Sequence, residues 1–470
     1  MNLFRVKNLN SINEVASNSS LKRSLTAADI LLLGIGAVIG TGVFVMTGVA
    51  AANYAGPAIV FSYLLAGVSA IFVALAYIEI ASMVPAAGSI YTYTYISLGE
   101  LAAWLVGWLI LLEYTVSAST IAVGWSGYMV GVLKSGGINL PLSLTLAPSQ
   151  GGIINLPATL ISLFICALLV KGTKESVKLN NILVALKLGA IFVFILVAAP
   201  KVKISNWTDN FAPYGLGGIA AGAATIFFGY TGFDLLSTTT EECKNPRRDI
   251  IIGLIGSLII CTIIYMLVAA ILTGIVPFSN LNNSEPLTYA MRQNGSNLGS
   301  ALVATGAIAG MTTVLIVQMY AQSRLLFFMA RDGMLPRIFS NIHTKYQTPY
   351  QSTKIIGIII SLISGFTPID LAANLASTAM LFEYIIVAII VLYLRKKMPT
   401  IVRPFKCPIV YIIAPLALIL CSFLIYNLLS ISSLVFVVWT VIGLAIYFMY
   451  SYKNSRLTNN IENESNFLQQ

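Results

Sequence analysis

Apolar residues form long runs that recur from residue 27 to residue 450, and short polar stretches separate them. A helix of about 20 apolar residues crosses the hydrocarbon core of a bilayer, so runs of this length are typical of membrane-spanning helices. The pattern predicts twelve spans, numbered in chain order: 27–50, 57–82, 100–133, 154–171, 178–200, 217–240, 249–277, 298–329, 352–366, 369–394, 409–428 and 430–450. The pair Thr367–Pro368 divides one long run into the unequal spans 9 and 10.

Composition excludes a water-soluble protein. Of the 470 residues, 57% are hydrophobic and only 9% are charged, whereas about 25% of the residues of a soluble domain are charged. Because charge is missing from most of the chain, lipid must be the solvent for most of its surface.

Basic residues are distributed unevenly between the two sides of the membrane. If the N-terminus lies inside, 22 of the 27 Lys and Arg residues lie on the inner side and four lie in outer loops. Under the positive-inside rule this bias predicts that both termini are cytoplasmic, as the even number of spans also requires. The net charge of +10 therefore reflects topology, and we expect no nucleic-acid partner.

These boundaries predict four regions. Residues 1–24 are polar and basic, carry no secretory signal and form a cytoplasmic tail. Residues 25–394 form a transport core with two halves, about 25–200 and 217–394, and residues 409–450 form helices 11 and 12. Residues 451–470 form a second cytoplasmic tail. The compact loops indicate a multi-pass protein of the plasma membrane, and specifically of a bacterial inner membrane.

Two spans carry matching glycine clusters. Span 1 reads GIGAVIGTGVFV from Gly34, and span 6 reads AATIFFGYTGFD from Ala223. The two spans lie five spans apart, and five is an odd number of crossings. Corresponding spans of the two halves therefore cross the membrane in opposite directions, so the second half is inverted relative to the first. Broken helices at corresponding positions of inverted repeats indicate the binding site of a transporter. The alternative is that the glycines only allow close helix packing.

A broken helix within the membrane exposes backbone N–H and C=O groups that lipid does not satisfy. An amino acid can pair with both kinds, its carboxylate with N–H groups at the start of a half-helix and its ammonium with free carbonyls. The candidate positions are Ile39, Gly40, Thr41 and Gly42 in span 1 and Phe228, Gly229 and Thr231 in span 6.

Charged residues within spans are costly, so each one is a functional candidate. Lys187 lies nine residues into span 5, about 13 Å from its inner end, which is too deep for easy snorkelling. Burial favours its neutral form and a nearby carboxylate its charged form, so it is a candidate proton carrier or a fixed structural charge. Glu79, Glu113, Asp234 and Glu383 are its possible partners.

The loops contain no P-loop, metal-ligand cluster or nucleophile elbow. We therefore expect neither enzymatic activity nor a cofactor or metal. The sequence leaves open whether the chain works alone, as a homo-oligomer or with a small membrane partner.

Six segments in the same order resemble the amino acid–polyamine–organocation (APC) superfamily of permeases, specifically bacterial members of the cationic amino acid transporter family. They are GIGAVIGTGVFV (34–45), YIEIASMVPAAGSIYTYTYISLGE (77–100), LLEYTVSASTIAVGWSGY (111–128), FFGYTGFDLLSTTTEECKNPRRD (227–249), QSRLLFFMARDGMLP (322–336) and RPFKCP (403–408).

The resemblance implies an all-α, LeuT-like fold of five plus five inverted helices followed by two peripheral ones. It also implies a substrate between broken helices 1 and 6, and coupling to protons instead of sodium. Lys187 matches the family's helix 5 lysine, Glu113 its helix 3 glutamate and Tyr265 its helix 7 tyrosine. Met311 and Thr312 are candidates for the side-chain pocket.

Two features depart from the family pattern. The helix 6 motif usually reads FFAYIGFD, so Gly229 and Thr231 change the size and polarity of the pocket. Glu383 stands where a small or apolar residue is expected, so it either selects a cationic substrate, takes part in proton transfer or does neither.

The sequence thus predicts a proton-coupled amino acid symporter that imports substrate by alternating access. Lys187 is the expected proton carrier, assisted by Asp234 or Glu113. The alternatives are an exchanger of amino acids or polyamines without net proton movement, a channel, and a nutrient sensor.

Overall fold

The computed structural model describes residues 5–6, 25–83, 89–172, 177–234, 236, 243–428 and 431–456. This part of the chain is helical, and its only strand-like feature is a bridge between Leu25 and Cys243. The main helices are α1a (Ala27–Val38), α1b (42–55), α2 (Ile59–Met83), α3 (Glu100–Ser135), α4 (Leu156–Lys171), α5 (Val177–Ala198), α6 (Gly215–Ile226), α7 (Pro246–Ile275), α8 (Asn297–Arg331), α9 (Tyr350–Phe366), α10 (Ile369–Lys397), α11 (Val410–Asn427) and α12 (Ile431–Ile446). The predicted all-α class is confirmed.

Eight helices among the described residues are long and apolar enough to cross a membrane, and four shorter apolar helices accompany them. One of the eight, Gly42–Met83, has 42 residues and would be about 63 Å long if straight. It does not run straight, because Gly56 has φ +59° and Pro57 follows. The Tyr63 hydroxyl reaches back to the carbonyl of Gly42 at 3.0 Å, so α1b and α2 fold back on each other.

The helix ends agree with the predicted spans within a few residues. α9 ends at Phe366 and α10 begins at Ile369, at the predicted Thr367–Pro368 division. Span 6 was predicted to reach residue 240, but α6 ends at Ile226 and a 3₁₀ turn follows over Phe227–Tyr230. Residues 235 and 237–242 of that segment lie outside the described residues.

The surface and the interior differ as a bilayer requires. Phe164 on α4, Phe192 on α5, Ile419 on α11 and Val441 on α12 are 62, 61, 60 and 58% exposed, which fits helices whose outer faces meet lipid. α3 and α10 are buried along most of their length and pack against each other. α8 packs between α3 and α5, and α7 packs against α1a and α2.

Stacked indoles fasten α12 to α3. The Trp108 and Trp439 rings are parallel within 15°, with centroids 4.4 Å apart. Each indole N–H donates to the other residue's carbonyl, at 2.8 and 3.0 Å. Both N–H groups are thereby satisfied, as an apolar environment demands.

The C-terminal segment beyond α12 also packs on the protein. Ser451 and Ser455 are buried, and the Ser455 hydroxyl donates to the Glu100 carboxylate at 2.7 Å. The Arg456 N–H donates to the carbonyl of Asp332 at 3.1 Å. The packed chain thus continues into the predicted tail as far as Arg456. Residues 1–4, 7–24 and 457–470, where the rest of the predicted tails lie, are outside the described residues.

Glu79 is the centre of an ion cluster at the C-terminal end of α2. Its carboxylate accepts two hydrogen bonds from Arg395 at 2.7 and 2.8 Å and one from Arg403 at 3.1 Å. The Cys407 N–H donates to it at 2.7 Å. Glu79 therefore joins α2 to the end of α10 and to the loop before α11.

Replacing Glu79 with Gln leaves two arginines without their counter-charge, and we expect a loss of about 3 kcal/mol or more of stability. Glu285→Gln is the matched control, because its part-buried pair with Arg292, whose side chain is 29% exposed, is more screened by solvent than the Glu79–Arg403 pair and should contribute less to stability. Thermal unfolding in detergent should show a much larger fall in Tm for Glu79→Gln. Equal shifts in the two variants would contradict a structural role for the Glu79 cluster.

Candidate functional site

The first helix is interrupted at its glycine cluster. α1a ends at Val38, Ile39 has an extended backbone (φ −74°, ψ 106°), and helix resumes at Thr41 and Gly42. The last carbonyls of a half-helix and the first N–H groups of the next have no partner within the helix. In the membrane interior these groups need partners from elsewhere.

Lys187 of α5 supplies hydrogen-bond donors to the free carbonyls of the break. Its side chain is fully buried, and its amino group donates to the carbonyls of Gly36 and, at 3.1 Å, Ile39. Gly310 of α8 leaves room for the lysine stem, since a Cβ there would lie 3.3 Å from the Lys187 Cβ. Among the described residues Lys187 forms no ion pair, so its partners are backbone carbonyls.

The second interruption follows α6. After the 3₁₀ turn, Thr231 is extended (φ −54°, ψ 143°) and Gly232 has φ +107°, a conformation that favours glycine. The Phe228 N–H donates to the Ser377 hydroxyl of α10 at 3.1 Å. The break is thus held partly by α10.

Tyr265 of α7 links the two breaks. Its hydroxyl lies 2.9 Å from the carbonyl oxygen of Val38 and 3.1 Å from that of Gly229. A phenol has one proton to donate, so the two carbonyls, one from each break, share it. The ring is fully buried and packs against Tyr63 and Tyr230, with centroid distances of 5.2 and 5.6 Å.

The two breaks touch through glycines. A Cβ on Gly42 would lie 2.5 Å from the Gly229 Cα, and a Cβ on Gly229 would lie 3.0 Å from the Gly42 Cα. The first distance is too short for any side chain. Glycine at these positions therefore permits the contact between α1b and the end of α6.

Thr41 lies beside this contact and carries a buried hydroxyl. Its Oγ1 is buried and has no hydrogen-bond partner among the described residues. Its methyl group lies 2.7 Å from where a Cβ on Gly124 of α3 would be, and the sulfur of Met311 lies 3.3 Å from the same point. Thr41 and Met311 therefore pack closely against Gly124, where a side chain would not fit.

The predicted site residues fall into three sets. Ile39, Gly40, Thr41, Gly42, Phe228, Gly229 and Tyr265 lie at the two breaks, and Met311 lies beside Thr41. Thr312 points elsewhere, because its hydroxyl accepts from the Trp125 indole at 3.0 Å and donates to Ile308.

The third set is a group of carboxylates. Glu113 of α3, Asp234 after the α6 break and Glu383 of α10 are near enough for their charges to interact. Thr231 lies beside Glu113 and 3.1 Å from the sulfur of Met380. Oε1 of Glu113 and of Glu383 is buried without a hydrogen-bond partner in the described structure.

The carboxylates do not reach the lysine. Glu79 belongs to its own arginine cluster, and Glu113 and Glu383 belong to the acidic group. The lysine and the acidic group are thus separate ionisable positions.

Several contributors were not anticipated from sequence. Ser377, Tyr63 and Gly124 contact the breaks, and Gln318 and Gln322 of α8 donate to Ser117 and Thr115 of α3 at 3.0 and 2.5 Å. Gln318 and Gln322 could have been found from the sequence, because they are polar residues inside an apolar run. Ser377 and Gly124 resemble ordinary small packing residues and carry no such signal.

Comparison with known proteins identifies the family of this chain. The sequence profile described as "Amino acid permease" matches residues 25–451. The methylthioribose transporter of Bacillus subtilis (strain 168) is 41% identical over 457 residues, which cover 97% of this chain and 99% of that protein. The branched-chain amino acid permease BcaP of the same organism is 44% identical over 461 residues, with the same two coverages.

A plant relative is also similar. The vacuolar cationic amino acid transporter 4 of Arabidopsis thaliana is 36% identical over 403 residues, covering 84% of this chain and 67% of that protein. The profile matches nearly the whole length of this multi-pass helical chain. The chain therefore belongs to the amino acid permease family of the APC superfamily.

Proposed function

We propose that this permease imports a neutral amino acid together with a proton by alternating access. The observation that carries the proposal is the pair of touching breaks, in which Lys187 and Tyr265 occupy the exposed carbonyls while Thr41 Oγ1 has no partner in the described structure. An amino acid carboxylate beside Thr41 would meet this hydroxyl and the first N–H groups of α1b.

The proposed topology has twelve crossings with both termini in the cytoplasm of a bacterial cell. α1b and α2 make separate passes because the chain folds back at Gly56. α1a and α1b together form one pass, and the other three shorter apolar helices, α4, α6 and α9, each form one. The first ten helices, residues 25–394, form two inverted halves, and α11 and α12 lie outside them. The basic residues on one side support this orientation.

The proton's proposed position at the break is Lys187. As an ammonium it can donate to the carbonyls of Gly36 and Ile39. After losing a proton it has fewer N–H donors and no positive charge for these carbonyls to stabilise. Protonation thereby changes how tightly the break is held. Glu113, Asp234 and Glu383 form a second position, since neighbouring carboxylates repel one another when ionised and so tend to share a proton.

The substrate's side chain is proposed to be apolar. Met311 and Gly124 lie beside Thr41, and the two Bacillus relatives are named for branched-chain amino acids and for methylthioribose, which is an uncharged sugar. Glu383 lies with two other carboxylates, so we assign it to the proton-binding group and not to recognition of a cationic side chain.

Uptake into proteoliposomes tests this proposal. With an inward proton gradient and no sodium, we expect leucine to accumulate, arginine, glutamate and putrescine to be excluded, and a protonophore to abolish accumulation. Leucine uptake that requires preloaded substrate would instead establish an exchanger. Preferred uptake of arginine would reassign Glu383 to substrate selection.

Lys187→Ala removes the proposed proton position at the break. We expect gradient-driven accumulation to fall at least about tenfold, with counterflow exchange of substrate retained, since exchange needs no net proton movement. Lys134→Ala, at an exposed position at the outer end of α3, is the control. Unchanged gradient-driven accumulation in Lys187→Ala would remove the lysine from the coupling mechanism.

Gly42→Ala tests the contact between the breaks. A Cβ 2.5 Å from the Gly229 Cα must push the two segments apart, so we expect uptake to fall by about tenfold or more while the protein still inserts. Gly189→Ala on α5 is the matched control, because nothing lies within 4 Å of its added Cβ. If both variants transport like the parent protein, the contact is not needed for function.

A further inference from the structure

A small cavity lies between the end of α4, the last third of α8 and the start of α9. Its volume is about 80 Å³, and its lining includes Gly172, Tyr320, Arg324 and Thr348. The Thr348 hydroxyl donates to the Val170 carbonyl at 2.8 Å, which closes one wall. This cavity lies away from the helix breaks and plays no part in the transport mechanism proposed above.

Arg324 is the principal donor in this cavity. Its Cζ lies 3.3 Å from the centroid of the Tyr320 ring, so the guanidinium lies over an aromatic face. Within the described part of the chain it has neither a hydrogen-bond acceptor nor a carboxylate partner. A planar guanidinium with five N–H donors matches the oxygens of a phosphate.

The hydroxyl groups of the lining do not take this role. Thr348, Ser323 and Thr353 already donate to backbone carbonyls, so they are acceptors toward the cavity or are occupied. The lining contains no Asp or Glu. Arg324 is therefore the charged side chain of the lining that can donate to a ligand, and a ligand that uses it must be an acceptor.

Further positive charge surrounds the cavity. Lys171, Lys345 and Lys354 are exposed near it, and Lys354 lies 5.2 Å from the centroid of the Tyr350 ring at the start of α9. Each adds to the attraction of an anionic membrane surface. The combination favours an anion over a neutral or cationic ligand.

Apolar residues continue from the cavity along the same helices. Phe164 on α4 and Ile358 and Leu362 on α9 are 62, 52 and 53% exposed. A phosphate in the cavity would thus have an apolar surface beside it that suits acyl chains. A cavity of about 80 Å³ holds a phosphate group but no larger headgroup.

We propose that Arg324 and Tyr320, with the ends of α4 and α9, bind the phosphodiester of an anionic phospholipid. The lipid belongs to the inner leaflet, a choice of leaflet that rests on the orientation proposed above. The binding contact itself does not depend on the transport function. A bound lipid would tie α4, α8 and α9 together at one end.

The test compares phosphate sources on the purified full-length protein in detergent. We expect phosphatidylglycerol to raise Tm, phosphatidylcholine to raise it much less, and inorganic phosphate to have little effect. Arg324→Gln should weaken the apparent affinity for phosphatidylglycerol about tenfold. Arg331→Gln is the matched control, because Arg331 lies on the same helix, 5.1 Å from the Phe328 ring and outside the cavity, and should behave like the parent protein.

Native mass spectrometry gives a second measurement if Arg324→Gln proves unstable. The parent protein should retain one more phosphatidylglycerol molecule than the variant, and Arg324→Lys, which keeps charge but loses the planar fork, should be intermediate. Equal lipid retention by the parent protein and Arg324→Gln would overturn the proposal. Inorganic phosphate that stabilises equally and displaces the lipid would also overturn it, in favour of a free-phosphate site. Loss of transport in the leucine assay would not mimic either outcome, since neither measurement requires uptake.

Discussion

The requirement that every backbone polar group in a bilayer find a partner shapes the centre of this protein. A continuous helix satisfies its own backbone, but a helix broken at Ile39 leaves carbonyls and N–H groups in a region without water. The carbonyls of Gly36, Val38 and Ile39 are taken by side chains of α5 and α7. α5 and α7 must therefore lie close enough to the first helix break for Lys187 and Tyr265 to reach these carbonyls. Because its carbonyls have partners, the break can persist in the membrane. The Thr41 hydroxyl has no hydrogen-bond partner in the described structure, so the break is still suited to an anionic group.

The same requirement explains why the breaks consist of glycines and why Lys187 is tolerated. Backbones can approach to the Gly42–Gly229 distance only without side chains. A lysine in the interior of a membrane protein is ordinarily costly, but here the helix break supplies it with carbonyl dipoles, and the lysine supplies the break with donors. Each feature would be unfavourable alone. Together they compensate, which is why the lysine needs no carboxylate beside it.

The sequence predicts a large part of this arrangement. Hydropathy locates the helices because a bilayer demands a fixed length of apolar chain, and the glycine clusters lie where α1 and α6 are interrupted. Partner choice was beyond the sequence: four carboxylates were possible partners of Lys187, yet its bonds go to carbonyls. Carbonyls are present at every residue, so no residue type signals them. Likewise Glu79 pairs with Arg395 and Arg403, more than 300 positions away in the chain, and only the packing of α2 against α10 brings them together.

Separating the ionisable groups into three places has a mechanistic consequence. The Glu79 cluster carries full counter-charges and fixes the C-terminal end of α2 to α10, so it is poorly suited to exchanging protons. Lys187 is held by neutral carbonyl dipoles, and one oxygen each of Glu113 and Glu383 is buried without a hydrogen-bond partner in the described structure. In the proposed mechanism, the charge on these groups would change as the helix breaks beside them open or close. Proton coupling would need this sensitivity at the breaks and rigidity elsewhere, and the compensated charge of the Glu79 cluster would supply the rigidity.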